Sequence, residues 1–179
     1  MIWFTSDLHF GAQRTIDISK RPFNTPDELN KALIRNWNNV VAKDDTVYIL
    51  GDFGDFFYAQ FLNGEKVFVK GNYERGHYSD EELKKYFDVV IPIDVLYLPV
   101  NYKGEFYHLR LTHEPLNISN KNMSEDFIGL FGHVHKLCMI KRYGINVGTD
   151  CHNFAPIDFD TVLFYHNAAL NYYDDNVFN

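Results

Sequence analysis

Met1-Ile2-Trp3-Phe4-Thr5-Ser6-Asp7-Leu8-His9-Phe10 is the stretch from which the fold is read. Ile2 to Phe4 is an apolar run of the kind a buried strand presents, and it ends abruptly in Asp7 and His9. Residues two apart on extended backbone point the same way. The reading therefore puts a carboxylate and an imidazole side by side at one strand end. Mixed oxygen and nitrogen donors suit Mn, Fe or Zn better than Ca or Mg.

The arrangement recurs four times. Apolar residues 46–50 end in Gly51-Asp52, 66–70 in Gly71-Asn72, 105–112 in His113, and 127–131 in Gly132-His133-Val134-His135. Sheets flanked by helices gather ligands at strand carboxyl ends, so these groups are expected to converge. Glycine before Asp52 and Asn72 lets backbone approach closely.

Helices are expected between and after these strands. Thr25 as N-cap, Pro26 at the first position and Glu28 closing a capping box predict a helix over 25–42. It carries Leu29, Leu33, Trp37, Val40 and Val41 on its apolar face. Residues 10–24 read as a polar loop, and 56–62 as a short aromatic helical segment. Ser79 and Glu82 form a second capping box, and Asp158 caps a last helix to about residue 170. Residues 89–91 and 95–100 read as strands, the latter turning through Tyr102-Lys103-Gly104 into 105–112. A further hairpin is expected from 137–140 to 144–147 across Lys141-Arg142-Tyr143. The whole reads as one domain over 1–170, with a polar, acidic tail at 171–179.

The composition bounds the function. At 179 residues the chain suits one good core. Its 46% hydrophobic and 23% charged content is ordinary for a globular domain, and 17% aromatics favour strands. A net charge of −7 argues against long nucleic acid across the surface, since that binding rests on basic side chains meeting phosphates. It leaves room for a small phosphate ester in a cation-charged pocket. Cys138 and Cys151 lack metal-type spacing and read as reduced thiols. Met1 leads straight into a strand, and no apolar run nears the roughly 20 residues of a membrane span. The expectation is a soluble, cytoplasmic protein with no membrane partner.

Asp7-x-His9, Gly51-Asp52, Gly71-Asn72, His113 and Gly132-His133-x-His135 together resemble the five sequence blocks of the calcineurin-like metallophosphoesterases. The likeness runs from residue 2 to about 150 in the family's order. Trp3-Phe-Thr-Ser-Asp7, Arg21-Pro-Phe23 and Asp45-Thr-Val47 resemble its small single-domain bacterial and phage members. The resemblance implies an α/β four-layer sandwich, two mixed sheets packed face to face with helices outside. It also implies two divalent transition-metal ions (Mn, Fe or Zn, with Mn favoured for activity). By the same resemblance, Asp7, His9, Asp52 and His135 hold the first ion, and Asp52, Asn72, His113 and His133 the second, with Asp52 bridging. The implied activity is hydrolysis of small phosphodiester or nucleotide-like esters by a metal-bridging hydroxide.

Two positions depart from the family pattern. Its fourth block usually reads Gly-Asn-His followed by an acid, the histidine serving as general acid, and this chain reads Gly71-Asn72-Tyr73-Glu74. Ala12 stands where small members tend to carry a histidine. Asp52, Asn72, Tyr73 and His77 are therefore the candidate catalytic residues, with His77 a possible substitute acid four residues past Tyr73. The alternatives are a metal-binding scaffold with weak or lost catalysis, and a nuclease. Arg14, Arg21 and Arg75 are read as solvated loop cations able to grip a phosphate, and His152 as a candidate pocket residue. His108 and Arg110 read as facing solvent or a sheet edge.

Overall fold

The computed structural model describes residues 1–92, 94–115, 127–141 and 144–172. The chain opens with β1 (Ile2–Thr5), α1 (Gln13–Ser19), α2 (Pro26–Val40), β2 (Thr46–Leu50), β3 (Glu65–Val69), α3 (Asp80–Leu83) and β4 (Val89–Ile91). It continues through β5 (Val95–Tyr102), β6 (Glu105–Thr112), β7 (Phe127–Phe131), β8 (Ile140–Lys141), β9 (Gly144–Asn146), β10 (Ile157–Asp158) and α4 (Phe159–Tyr172). Among the described residues these strands make two mixed sheets, ordered β10-β1-β2-β3-β4 and β5-β6-β7-β9-β8. In the first, β1 to β4 run parallel and β10 joins β1 antiparallel. In the second, β6, β7 and β9 run parallel, while β5 and β8 are antiparallel edges.

Alternation along the first sheet's strands feeds two cores. Trp3, Val47, Ile49 and Phe68 pack with Leu29, Leu33 and Trp37 of α2. Phe4, Leu50 and Val69 point the other way, into a cluster with Leu109, Leu111, Ile128, Leu130 and Ile145 of the second sheet. Phe159 and Val162 of α4 join that second cluster. With both faces of β1 to β3 covered, their near-continuous apolar character follows. The five strands that precede ligand-type residues are thus neighbours within their sheets: β1, β2 and β3 in one, β6 and β7 in the other.

Local chemistry sets most element ends. Thr25 accepts the Glu28 amide at 3.2 Å, while the Glu28 carboxylate reaches back to the Asn24 amide at 2.8 Å rather than to the cap itself. The Ser79–Glu82 box is reciprocal, and Asp158 accepts the Thr161 amide at 2.8 Å. Lys103 and Gly104 both have positive φ, as a tight two-residue hairpin turn requires.

One element departs from the loop expected at 10–24. Helix α1 lies within it, burying Thr15, Ile16 and Ser19, and ends at Lys20 in the left-handed conformation. Seven residues with two isoleucines, of which Ile16 is buried and Ile18 exposed, carry too little periodicity to be read as a helix; docking on the core decides it. Residues 56–61 form a 3-10 helix, and α4 extends to Tyr172, past the expected 170. Arg142 and Tyr143 of the expected hairpin, and 173–179 of the expected tail, lie outside the described residues. No described helix is long and apolar enough to cross a membrane. Both cysteines are free thiols, and burial pushes that of Cys151 up to about 11.

Candidate metal centre

The segment after β1 and the segment after β2 run on side by side beyond the sheet. His9 N donates to Asp52 O at 3.0 Å, Phe10 N to Phe53 O at 2.9 Å, and Asp55 N to Phe10 O at 3.0 Å. Along this ribbon Asp7, His9 and Asp52 have φ of 56°, 52° and 52°. His133 and His135, beyond β7, have φ of 71° and 49°. The left-handed region is uncommon for residues with a Cβ, and such conformations gather at functional sites.

This corrects the local reading of the sequence. Asp7 and His9 do not share a side of extended backbone; they lie past the end of β1 and are aimed by left-handed turns.

Two clusters result, Asp7 with His9 and His135, and Asp52 with His113 and His133, each with donor atoms within 4.8 Å of one another. In the first, His9 Nε2 lies 3.9 Å from Asp7 Oδ1, and His135 Nε2 lies 4.0 Å from the same oxygen. The His9 and His135 rings stack at 5.1 Å. His9 Nε2 is also 3.6 Å from Asp52 Oδ2, which ties the first cluster to the second. Donors held at roughly 2.0–2.2 Å from one ion stand roughly 3–4 Å apart, so these spacings fit a shared cation.

In the second cluster His113 Nδ1 lies 2.7 Å from Leu50 O. A carbonyl only accepts, so Nδ1 carries the hydrogen and the neutral ring offers a lone pair at Nε2. That atom faces Asn72 Oδ1 at 2.9 Å, His133 Nδ1 at 3.2 Å and Asp52 Oδ1 at 3.4 Å. His133 Nδ1 is itself 3.0 Å from Asn72 Oδ1. Four polar atoms thus converge on one point, which a proton on an imidazole nitrogen or a metal ion can occupy.

The electrostatics agree. Burial lowers the His9 pKa to about 4 against the pull of Asp7 and Asp52, which leaves a neutral ring. Neither of its buried nitrogens has a hydrogen-bond partner. Burial also opposes protonation of His113, but Asp52 and Asp7 outweigh it and raise that group to about 9. Positive charge is favoured where the donors converge. Buried orphaned nitrogen and converging lone pairs both fit divalent cations of the borderline kind.

No protein-family profile matches the chain. The uncharacterized protein MJ1445 of Methanocaldococcus jannaschii is 31% identical over 177 residues, spanning 90% of this chain and 89% of that protein. The chain belongs to the family of MJ1445. The gene 66 protein of Mycobacterium phage D29 is 28% identical over 191 residues, covering 88% of this chain and 92% of the phage protein. Among solved structures, the protein of unknown function AQ665 from Aquifex aeolicus superposes with a TM-score of 0.65 at 25% identity, over 90% of this chain and 97% of that one.

In this member of the MJ1445 family, a second layer of buried groups holds the candidate ligands, and sequence reasoning missed most of it. Asp150 accepts from Arg21 at 3.0 and 2.7 Å and stands 2.8 Å from His135 Nδ1. Burial would raise the Asp150 carboxyl, but His135 and Arg21 hold it down at about 2. Arg21 also donates to Leu8 O and Asp7 O at 2.8 and 2.6 Å. It is a buried strut of the first cluster and not the solvated loop cation expected. Glu74 accepts the amides of Asp52, Phe53 and Gly71 at 3.1, 3.1 and 3.0 Å, and burial raises its pKa. The signal for Asp150 was the one used elsewhere, a polar run just past the short strand β9.

The remaining candidates divide. Arg14 lines a cleft of about 190 Å³ together with His9, Asp52, Asn72, His133 and His135. Arg75 is paired instead with Asp94 and Glu114. His152 is buried, 2.7 Å from Asn146 O, and is absent from the lining of the ligand cleft. Its carbonyl partner Asn146 in turn donates to His135 O and Cys138 O at 2.6 and 2.8 Å. Tyr73 lines the ligand cleft and packs its ring edge-on to His9 at 5.1 Å. His77 lines a neighbouring cleft, which Tyr73 and Ala12 also line. Arg110 lies over the Tyr97 ring at 5.7 Å.

Proposed function

We propose that the chain is a metal-dependent phosphoric ester hydrolase of the calcineurin-like class, favouring phosphodiesters, with its sheets and helices arranged as that class's four-layer sandwich. The observation that carries the reading is the His113 constellation. Its Nδ1 is committed to Leu50 O, and its Nε2 faces an amide oxygen, a carboxylate and a second imidazole within 3.4 Å. So many oxygen and nitrogen donors around one point are costly to bury unless positive charge, from a proton in the metal-free chain or a metal ion that displaces it, sits among them.

Asp7, His9, Asp52 and His135 would hold one ion, and Asp52, Asn72, His113 and His133 the other, with Asp52 shared. Ions held there supply Lewis acidity toward phosphoryl oxygens and make bound water acidic near neutral pH. The chain supplies the rest. Arg14, exposed on the first turn of α1, adds fixed positive charge to the cleft for a phosphate oxygen. Tyr73 stands where the resemblance expects the proton donor, and a phenol is a weaker donor than imidazolium at neutral pH. Aryl esters, whose leaving groups depart without a proton, should therefore be cleaved well and alkyl esters slowly. His77, across Tyr73 in the neighbouring cleft, is the rival donor. A metal-binding scaffold without turnover is the second reading, favoured by Tyr73; a nuclease is disfavoured by the charge of −7.

Elemental analysis and a Mn²⁺-supplemented assay on bis(p-nitrophenyl) phosphate test this. Two Mn, Fe or Zn ions per chain and steady aryl hydrolysis are expected. Asp52→Asn should lower both occupancies and cut the rate by roughly 100-fold or more. Two bound ions with no aryl hydrolysis would establish the scaffold reading. A chain that takes up none of these metals would sink both.

A further inference from the structure

The cleft beside the ligand cleft holds the rival donor His77, but the chemistry described above gives its aromatic walls no role. Its volume is about 700 Å³, and Tyr73 lines both clefts. Rings make up much of its lining: Tyr73 and Tyr78, each 44% exposed, half-buried Phe56 and buried Phe10, together with His77. Phe56 meets Tyr78 edge-on at 5.0 Å and is backed by Phe53 and Phe87 at 6.1 and 5.8 Å, so this wall is rigid. No lysine or arginine is among the described residues that line it. The acid on its rim is Asp55, which is exposed and caps the Phe57 amide with one carboxylate oxygen at 2.9 Å. Glu74 also lines the cleft, but it is buried on three backbone amides.

We infer that this aromatic cleft takes the nucleobase of a nucleoside phosphodiester whose phosphate sits in the adjoining ligand cleft. With no lysine or arginine among its described lining residues and Asp55 at its rim, the cleft offers a second phosphate His77 alone, which disfavours that occupant. Flat, exposed rings favour a planar group, because every base has a face to stack on them. A carboxylate at the rim accepts from the N–H edge of a base. Tyr73, common to both clefts, makes them adjoin, as a base and phosphate of one nucleotide require. The substrate class rests on the hydrolase reading; binding of the base alone does not.

Two measurements keep these apart. Calorimetric titration of adenosine into metal-free protein should give saturable binding, weakened at least five-fold by Tyr78→Ala and preserved by Tyr78→Phe, which keeps the ring. In the Mn²⁺ assay, the p-nitrophenyl ester of adenosine 5′-phosphate should show a KM roughly ten-fold below that of methyl p-nitrophenyl phosphate, and Tyr78→Ala should bring the ratio close to one. Hydrolysis of both esters with equal KM, and no adenosine binding, overturns the cleft assignment while the phosphodiesterase stands. Ring-dependent adenosine binding without hydrolysis of either ester upholds the base site and overturns the hydrolase. Binding of phosphocholine in place of adenosine would make the cleft a cage for a quaternary cation and overturn the inference.

Discussion

Asp150 is the residue on which the first cluster leans. It reaches His135 Nδ1 at 2.8 Å and takes two hydrogen bonds from Arg21, whose remaining donors grip the backbone of Asp7 and Leu8. A carboxylate behind a ligating imidazole fixes its tautomer and orientation, and losing it typically costs roughly 10–100-fold in metal affinity. Asp150→Asn should therefore weaken uptake at the cluster of Asp7, His9 and His135 and spare the other, as metal titration would record. The same carboxyl sets a pH dependence. Its folded value of about 2 lies below the ordinary 3.8. Its contribution is thus complete above the unfolded value and fades as pH falls toward the folded one. Urea unfolding of metal-free parent and Asp150→Asn should show an advantage for the parent whose pH-dependent part is about 2 kcal/mol at pH 5 and shrinks on acidification. A difference constant with pH would mean that these partners do not hold the carboxylate.

At the scale of elements, the two sheets are brought together at their carboxyl ends by contact too close for side chains. A Cβ on Gly132, just past β7, would lie 2.0 Å from Ser6 Oγ and 2.4 Å from Asp7 Oδ2 of the segment after β1. The amide of His133 donates to the Asp7 carboxylate at 3.1 and 2.9 Å across the same seam. Gly132→Ala should therefore push Asp7 out of place and overpack the seam, costing roughly 1–3 kcal/mol of stability. Metal stoichiometry should fall from two toward one, with the Asp52, His113 and His133 cluster retained. Full occupancy and an unchanged melting temperature would mean that the sheets slide apart freely at this point.

For the molecule as a whole, charge decides what can approach. The net charge of −7 and the pairing of Arg21 and Arg75 with acids leave Arg14 as the arginine, among the described residues, at the ligand cleft. Binding that neutralises many phosphates loses roughly 10³–10⁵ in affinity between 50 and 200 mM salt. A small ester held by a few fixed groups should not, and hydrolysis of an aryl phosphodiester should change by less than about two-fold over that range. A steep fall with salt on duplex DNA would favour the nuclease alternative.

The sequence alone carried the strand order of ligand types. Residues 2–4, 46–50, 66–70, 105–112 and 127–131 are apolar runs ending in Asp, Asn or His, and each corresponds to a strand whose following residues reach the candidate centre. The Ser79 box, the Thr25 cap and the turn at Lys103-Gly104 were legible too, because their chemistry is complete within four residues. Local pattern did not carry the left-handed turns at Asp7, His9, Asp52, His133 and His135, since no neighbour in sequence demands them. Helix α1 was hidden for want of periodicity. Arg21 and Asp150 meet across 129 positions, and only the docking of one sheet on the other brings them together. Which histidine joins which cluster was not legible in local pattern; the family resemblance alone paired His135 with His9 and His133 with His113, the grouping seen in the fold. That grouping rests on how the segment past β7 crosses between the ends of the two sheets, a geometry that no short stretch contains.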